Sequence, residues 1–249
     1  MIEDILKKRT NCSFFREDKI PDKKIIDDIL NKAHNLTPYK NNFIHYDIEV
    51  YGPEYDDEKK YVAMSTVCSH AKHKYSKKLA SKETMDELEK IYDDWLVAQS
   101  NLKSKQDFYD MRKKFDGIHF NNQVRAPYLL VYTKKKEMVT ESQKQSDYYK
   151  SGKVTSIFQT NKPNQGMWLV QSGMNSIITS MLSVEKGLDV SFCKCYFYNS
   201  NIHTNILRKA LKNANDIAFL LGIGYADTTK HQYKSWVKIP TLDEIVKWV

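Results

Sequence analysis

Glycine and proline are scarce in this chain of 249 residues, at eight and six positions, which excludes collagen-like repeats and low-complexity linkers. Cysteine is scarcer still. Cys12, Cys68, Cys193 and Cys195 are too few and too unevenly placed to staple a chain of this length, so a reducing compartment is expected. No apolar run approaches the roughly 18 residues of a membrane-spanning helix; the longest, such as Tyr128–Tyr132 and Ile217–Leu221, are short. The opening Met1-Ile2-Glu3-Asp4-Ile5-Leu6-Lys7-Lys8-Arg9 mixes charges where a secretory signal would place an unbroken apolar stretch, and a cytoplasmic protein is expected.

Several catalytic signatures are missing too. There is no Gly-x-Ser-x-Gly elbow of a serine hydrolase. Gly152-Lys153 lacks both the upstream glycine and the following Ser or Thr of a phosphate loop, and Gly222-Ile223-Gly224 lacks the third glycine of a dinucleotide fingerprint and falls too late in the chain to open one. Cys68, His70 and His73 have no fourth ligand nearby, so they suit a charged surface better than a zinc site, and no metal is expected. Cys193 and Cys195, two apart on an expected strand, suit small buried hydrophobes better than a redox pair.

What is present is a globular composition: 41% hydrophobic, 28% charged, with a net charge of +8. The surplus of cations favours anionic partners such as phosphates, nucleotides or nucleic acid. Lys72–Lys78 is the closest approach to a basic run interleaved with aromatics, but most charge runs are solvated faces, and nucleic acid is not the favoured partner.

Periodicity gives the elements. Asp22–Leu36 places Ile25, Ile26, Ile29, Leu30 and Ala33 at helical spacing, and Thr37-Pro38 ends it. His45–Tyr51 alternates as a half-buried strand and stops at Gly52-Pro53. Residues 54–120 are strongly charged, with Leu79, Met85, Leu88, Ile91, Trp95 and Leu96 at helical intervals: a helical insertion, read either as a solvated excursion or as a lid or pocket wall. Ala126–Tyr132 suits a buried central strand. Residues 139–163 show little periodicity and are expected to be mainly loop. Gln165–Lys186 is apolar on most of its circumference, as a central helix would be, and Gly187 supplies its cap. Val190–Tyr198 and Ile217–Tyr225 are expected strands, with a short helix over His203–Asn213 between them. Together these make one α+β domain over 1–249, with the 54–120 insertion inside it.

Several segments, in order, resemble the nitroreductase family of FMN-dependent oxidoreductases. Leu6-Lys7-Lys8-Arg9-Thr10-Asn11-Cys12-Ser13-Phe14-Phe15 is similar to that family's opening phosphate-binding motif, and Thr37-Pro38-Tyr39-Lys40-Asn41-Asn42 to its Pro-containing turn. Asn121–Val131 resembles its Asn-containing approach to the central strand, and Gln171 through Gly187-Leu188-Asp189 its long helix and turn. Leu221–Tyr225 and Lys238-Ile239-Pro240-Thr241-Leu242-Asp243-Glu244-Ile245-Val246 resemble its closing elements.

The resemblance implies a nitroreductase-like mixed central sheet flanked by helices, a homodimer with the long helix at the interface, and two FMN sites built from both chains. It implies NADH or NADPH as reductant and an electron-poor acceptor such as a nitroaromatic or quinone. Arg9, with Asn11 and Ser13 beside it and Lys238 from the C-terminal side, would hold the phosphate, for which guanidinium and ammonium donors are suited. Asn42, Asn122 and Gln171 would supply amide partners to the pyrimidine edge of the ring, and the backbone at Lys194-Cys195 would face the flavin N5. No side chain is required as acid or base, so none is named as catalytic. Three departures stand out: Ser13 replaces a second basic residue, Lys194-Cys195 replaces a Glu-Gly pair, and Trp236 replaces a residue that is often basic. The alternative expectation is a basic binding protein that keeps a flavin fold without turnover, or that binds nucleic acid through residues 60–118 of the insertion.

Overall fold

The computed structural model describes residues 2–8, 11–39, 42–65, 82–151, 165–194, 211, 217–232 and 240–246. In chain order these form α1 (Ile2–Lys8), α2 (Lys23–Leu36), β1 (Tyr46–Tyr51), α3 (Asp56–Ser65), α4 (Lys82–Ser100), α5 (Lys105–Lys114), β2 (Tyr128–Lys134), α6 (Glu141–Lys144), α7 (Asp147–Lys150), α8 (Gln165–Glu185), β3 (Asp189–Cys193), β4 (Ile217–Gly224) and α9 (Leu242–Ile245).

The four strands lie in the order β1-β2-β4-β3, and every neighbouring pair is antiparallel. Among the described residues, parallel pairing enters through a single bridge, Asn11 with Val190, at the outer side of β3. The central strand β2 is buried on both faces, as its unbroken apolar run requires. Its register with β4 shifts between Tyr132 and Thr133, where Tyr132 faces Phe219 and Thr133 faces Ile217, so Ala218 is the extra residue of a bulge.

Each face of the sheet carries its own core. On one, Leu129, Val131 and Leu220 pack against Val62 and Ala63 of α3 and Leu88, Tyr92 and Trp95 of α4. On the other, Leu130, Tyr132, Leu221 and Ile223 meet Ile26 and Ile29 of α2 and Trp168 of α8. Full burial of each such side chain contributes about 1.5–3 kcal/mol. The described part of the charged 54–120 segment, expected either as a solvated excursion packing one stripe on the body or as a lid or pocket wall, supplies α3 and α4 to the first of these cores. Leu79 of its apolar series lies outside the described residues.

Local signals explain the boundaries. Asp22 accepts from the Lys24 amide at 2.8 Å as the cap of α2, and the Thr37 hydroxyl donates to the Ala33 carbonyl at 2.6 Å where that helix ends. Ser104 and Asp107 cap α5 reciprocally. Gly187 takes a φ of +75° after α8, the left-handed geometry that glycine adopts without strain. Residues 139–151, expected as loop with some helix, carry the two one-turn helices α6 and α7. The strand expected over Val190–Tyr198 runs over Asp189–Cys193, with 195–200 outside the described residues, as is most of the expected helix at His203–Asn213.

α8 holds the largest surprise. Its buried side is polar: Gln171, Ser172, Asn175, Ser176, Thr179, Ser180 and Ser183 face inward, while Val170 is 55% and Ile177 45% exposed. Ser176, Ser180 and Ser183 donate to carbonyls three or four residues back in the helix, at 2.8–2.9 Å. Small hydroxyls satisfied in this way let α8 lie close against α2. Asn175 then ties three elements together, accepting from the Tyr132 hydroxyl at 2.9 Å and donating to the Thr37 hydroxyl at 3.0 Å. Among the described residues no helix is long and apolar enough to cross a membrane.

Candidate functional site

The segment after α1 is stitched into the end of the sheet. The Cys12 amide donates to the Val190 carbonyl, the Arg16 amide to the Tyr225 carbonyl and the Asp227 amide to the Phe14 carbonyl, at 2.8–2.9 Å. Residues 11–16 are thereby held as extended chain between the end of β4 and the outer side of β3. The Asn11 side chain accepts from the Phe192 amide at 2.8 Å and donates to the Gln123 side chain at 3.4 Å. Asn122 donates to the Ser13 carbonyl at 3.1 Å and accepts from the Tyr92 hydroxyl at 2.9 Å. Gln232 clamps the same segment from the C-terminal side, accepting from the Ser13 amide at 2.8 Å and donating to the Phe14 carbonyl at 3.2 Å.

Beside these bonds lies a half-open cavity of about 310 Å³. Asn11, Ser13 and Asn122 line it together with Asn121, Phe192, and a wall of Trp95, Gln99, His119 and Phe120. The wall comes from α4 and the segment before the Asn122 turn.

Three of the residues named from sequence thus converge. Lys194 is exposed and follows β3, two positions after Phe192. Arg9, Cys195 and Lys238 lie outside the described residues. Asn42 and Gln171 belong to a separate group. Gln171 is fully buried; its Oε1 accepts from the His45 amide at 3.0 Å and its Nε2 donates to the Phe43 carbonyl at 2.8 Å. Asn42 is exposed with a φ of 58°, and its carbonyl accepts from Gln143 at 2.8 Å. The Gln171 amide is therefore spent on the backbone that follows Asn42, and a ligand-facing role for it is not supported.

Sequence reasoning missed the wall and its polar atoms. Among the described residues, seven buried side-chain polar atoms have no hydrogen-bond partner, and three of them, Trp95 Nε1, Gln99 Oε1 and His119 Nδ1, lie behind the cavity surface in residues that line it. Each such atom costs about 1–3 kcal/mol unless something bonds to it. Trp95 was legible only as a helix-spaced apolar position, and Gln99 and His119 sit in no motif.

A second cavity, about 350 Å³, shares Phe14 and Asn122 with the first. Its cations are Arg16, Lys59, Arg125 and Lys230, against the carboxylates of Glu17 and Asp56. Lys59 is buried, donates to the Ala126 and Pro127 carbonyls at 2.9 and 3.0 Å, and has its pKa pulled down to about 8 by that burial. A trace of this was in the sequence: Lys59 shares a helical face with Val62 and Ala63.

Burial, assisted by the Arg112 charge, also lowers the pKa of His119 from 6.5 to about 4. The unfolded chain takes up this proton first as the pH falls, so the stability His119 lends is present above about 6.5 and is lost towards 4. Each pH unit costs about 1.4 kcal/mol, giving an upper bound of about 3 kcal/mol because part of the residue reaches water. We expect the His119 ring signals in NMR to hold their positions from about pH 7.5 to about pH 5.5, and His119→Phe to flatten the acid limb of the stability curve. A ring titrating near 6.5 would refute the burial argument.

No family model matches the sequence, and no curated protein matches it either. Solved structures do match, over essentially the whole chain. An FMN- and NADPH-dependent nitroreductase from Sphingopyxis sp. strain HMH is 14% identical, covering 100% of this chain and 99% of its own, with a TM-score of 0.58. A BluB-like flavoprotein from Clostridium difficile is 16% identical over 100% and 99%, with a TM-score of 0.54. An FMN-dependent nitroreductase from Mycobacterium smegmatis, solved in complex with NADPH, is 13% identical over 99% and 97%, with a TM-score of 0.52. This chain has the nitroreductase fold, an α+β architecture in which helices cover both faces of the sheet.

Proposed function

We propose that this nitroreductase-fold chain is an FMN-dependent oxidoreductase that passes reducing equivalents from NADH or NADPH to an electron-poor small molecule such as a nitroaromatic or quinone. The observation that carries the proposal is the convergence of Asn11, Ser13 and Asn122 on one cavity, within a fold shared end to end with solved flavoproteins. The chemistry that FMN supplies when bound is acceptance of hydride from a nicotinamide and delivery of two electrons to an acceptor. The residues of this chain bind and orient. Arg9 and Lys238 are assigned to the phosphate. Asn11 and Asn122 hold the first segment and β3 at a fixed spacing, and Phe192 and Phe120 give the cavity aromatic walls.

A homodimer belongs to the same proposal. Val170, Met174, Ile177 and Met181 follow one another at helical spacing on the outward side of α8, with Val170 and Ile177 largely exposed, and a second copy is the occupant we assign to that stripe. In that arrangement Asn42 would serve the neighbouring copy's site, on the segment that Gln171 holds.

The absorbance spectrum of freshly purified protein tests the flavin, and NAD(P)H oxidation with and without a nitroaromatic tests turnover. Arg9→Ala is expected to release FMN on dialysis. A preparation that stays colourless after incubation with FMN defeats the proposal, whereas bound flavin with no NAD(P)H oxidation would favour a binding protein.

A further inference from the structure

Asn122 reaches the cavity from a turn that other elements hold in place. Its amide makes two bonds: Nδ2 donates to the Ser13 carbonyl at 3.1 Å, and Oδ1 accepts from the Tyr92 hydroxyl at 2.9 Å. A carbonyl can only accept, so the Ser13 contact turns the amide nitrogen towards the first segment and leaves the oxygen for Tyr92. Tyr92, on α4, has no exposed surface. Burial, opposed by the Arg125 charge, pushes its hydroxyl pKa up to about 12, so the group keeps its proton and is the donor. The ring is fixed separately, edge-on to Phe120 of the cavity wall at 5.1 Å and 87°.

Asn122 lines the cavity and Tyr92 does not, so what the hydroxyl supplies is orientation. A side-chain amide held at one end stays mobile, and a ligand that bonds to it must first stop that motion; one held at both ends is already placed. The rest of the turn has other supports. The Ser191 hydroxyl donates to the Gln123 carbonyl at 2.7 Å, and the Lys59 ammonium donates to the Ala126 and Pro127 carbonyls at 2.9 and 3.0 Å. Removing the Tyr92 hydroxyl therefore leaves the backbone of the turn anchored, and the loss falls on the Asn122 side chain.

Resting on the flavoprotein reading above, we infer that Tyr92 is a positioning residue of the flavin site: its hydroxyl fixes the Asn122 amide in the orientation that meets the cofactor. The molecule contains a matched control. Tyr132, equally without exposed surface, donates to Asn175 at 2.9 Å, so the same bond at the same burial occurs in the core on the other face of the sheet, among residues that do not line the cavity. A purely structural role for Tyr92 would make the two bonds equivalent.

The test measures the Kd for FMN by quenching of flavin fluorescence, with melting recorded on the same samples. Tyr92→Phe is expected to weaken FMN about 5- to 20-fold, the range of one hydrogen bond. Tyr132→Phe should melt about 2–4 °C below wild type, as Tyr92→Phe does, yet hold FMN within about 2-fold. Asn122→Ala should weaken FMN at least as much as Tyr92→Phe. Adding Tyr92→Phe to it should then change the affinity by less than about 2-fold, since a residue that acts through Asn122 has nothing left to act on. Tyr92→4-aminophenylalanine, which restores an N–H donor, should recover most of the affinity. If Tyr92→Phe loses no more affinity than Tyr132→Phe, weakens FMN equally in the Asn122→Ala background, or is not rescued by the amine, the inference falls while the flavoprotein reading stands. If wild type binds no FMN, both fall. Should Tyr92→Phe fail to fold, 4-fluorophenylalanine at position 92, which fills the hydroxyl's volume without donating, takes its place in the same comparisons.

Discussion

Gly222→Ala is expected to lower stability by about 3 kcal/mol and to lower Tm by about 6–12 °C. Gly222 lies in β4 between two strands, facing Leu129 of β2 and Ser191 of β3. A methyl group added there would clash with Ser191 Oγ and sit 2.7 Å from Ala126 Cβ and 2.9 Å from the Gln123 carbonyl oxygen. Ser191 could swing aside, but its hydroxyl donates to that same Gln123 carbonyl at 2.7 Å, so relief in one place leaves an acceptor unmet in another. Ala126 and the Gln123 carbonyl belong to the chain around the Asn122 turn and cannot step back without carrying Asn122 along. Flavin affinity should therefore fall with stability. Thermal and urea denaturation give the size of the effect, and a Tm within about 2 °C of wild type would show that the turn yields at little cost.

Gly222 also shows what kind of information the sequence held. Gly222-Ile223-Gly224 is no dinucleotide fingerprint, and the structure supplies the other reason for glycine: Gly222 lets the 123–126 turn approach β4, while at Gly224 a methyl would meet Pro127 and Phe15 at 2.6–2.8 Å. Elements whose pattern is one-dimensional were legible. Periodicity places α2, β1 and α8 within a residue or so of their observed ends, because burial on one face leaves a regular trace. The identity of the buried face of α8 left no such trace. Its serines are polar by composition, yet they bond to their own helix, so the side with fewer apolar residues is the one that packs. The candidate site was half legible. Asn11, Ser13 and Asn122 lie in recognisable segments and meet at one cavity, whereas Trp95, Gln99 and His119 sit in a segment whose charge suggested solvent, and only tertiary packing shows what they share.

Gln171→Leu is expected to cost about 2–5 kcal/mol, the other large effect in the molecule. The side chain has no exposed surface, and its amide satisfies the His45 N–H and the Phe43 carbonyl across 126 and 128 residues of sequence. Leucine fills most of the volume but leaves two buried backbone groups unmet, at about 1–3 kcal/mol each. Gln171→Glu separates hydrogen bonding from volume. A carboxylate could still accept from His45 but would face the Phe43 carbonyl with no proton to give, so burial and that contact should raise its pKa above the ordinary glutamate value of about 4.3. Protonated, it can donate to Phe43 while accepting from His45. A raised folded-state pKa means that the stability is present at low pH and is lost as the pH rises through the folded value. Gln171→Glu should therefore melt close to wild type near pH 4.5, where His119 penalises both proteins alike, and well below it near pH 8. A deficit that does not change with pH would mean that the amide fills space and does not hold residues 43–45. If the deficit does grow with pH, flavin affinity measured on the same samples should weaken in parallel, because the segment that Gln171 secures is the one that carries Asn42.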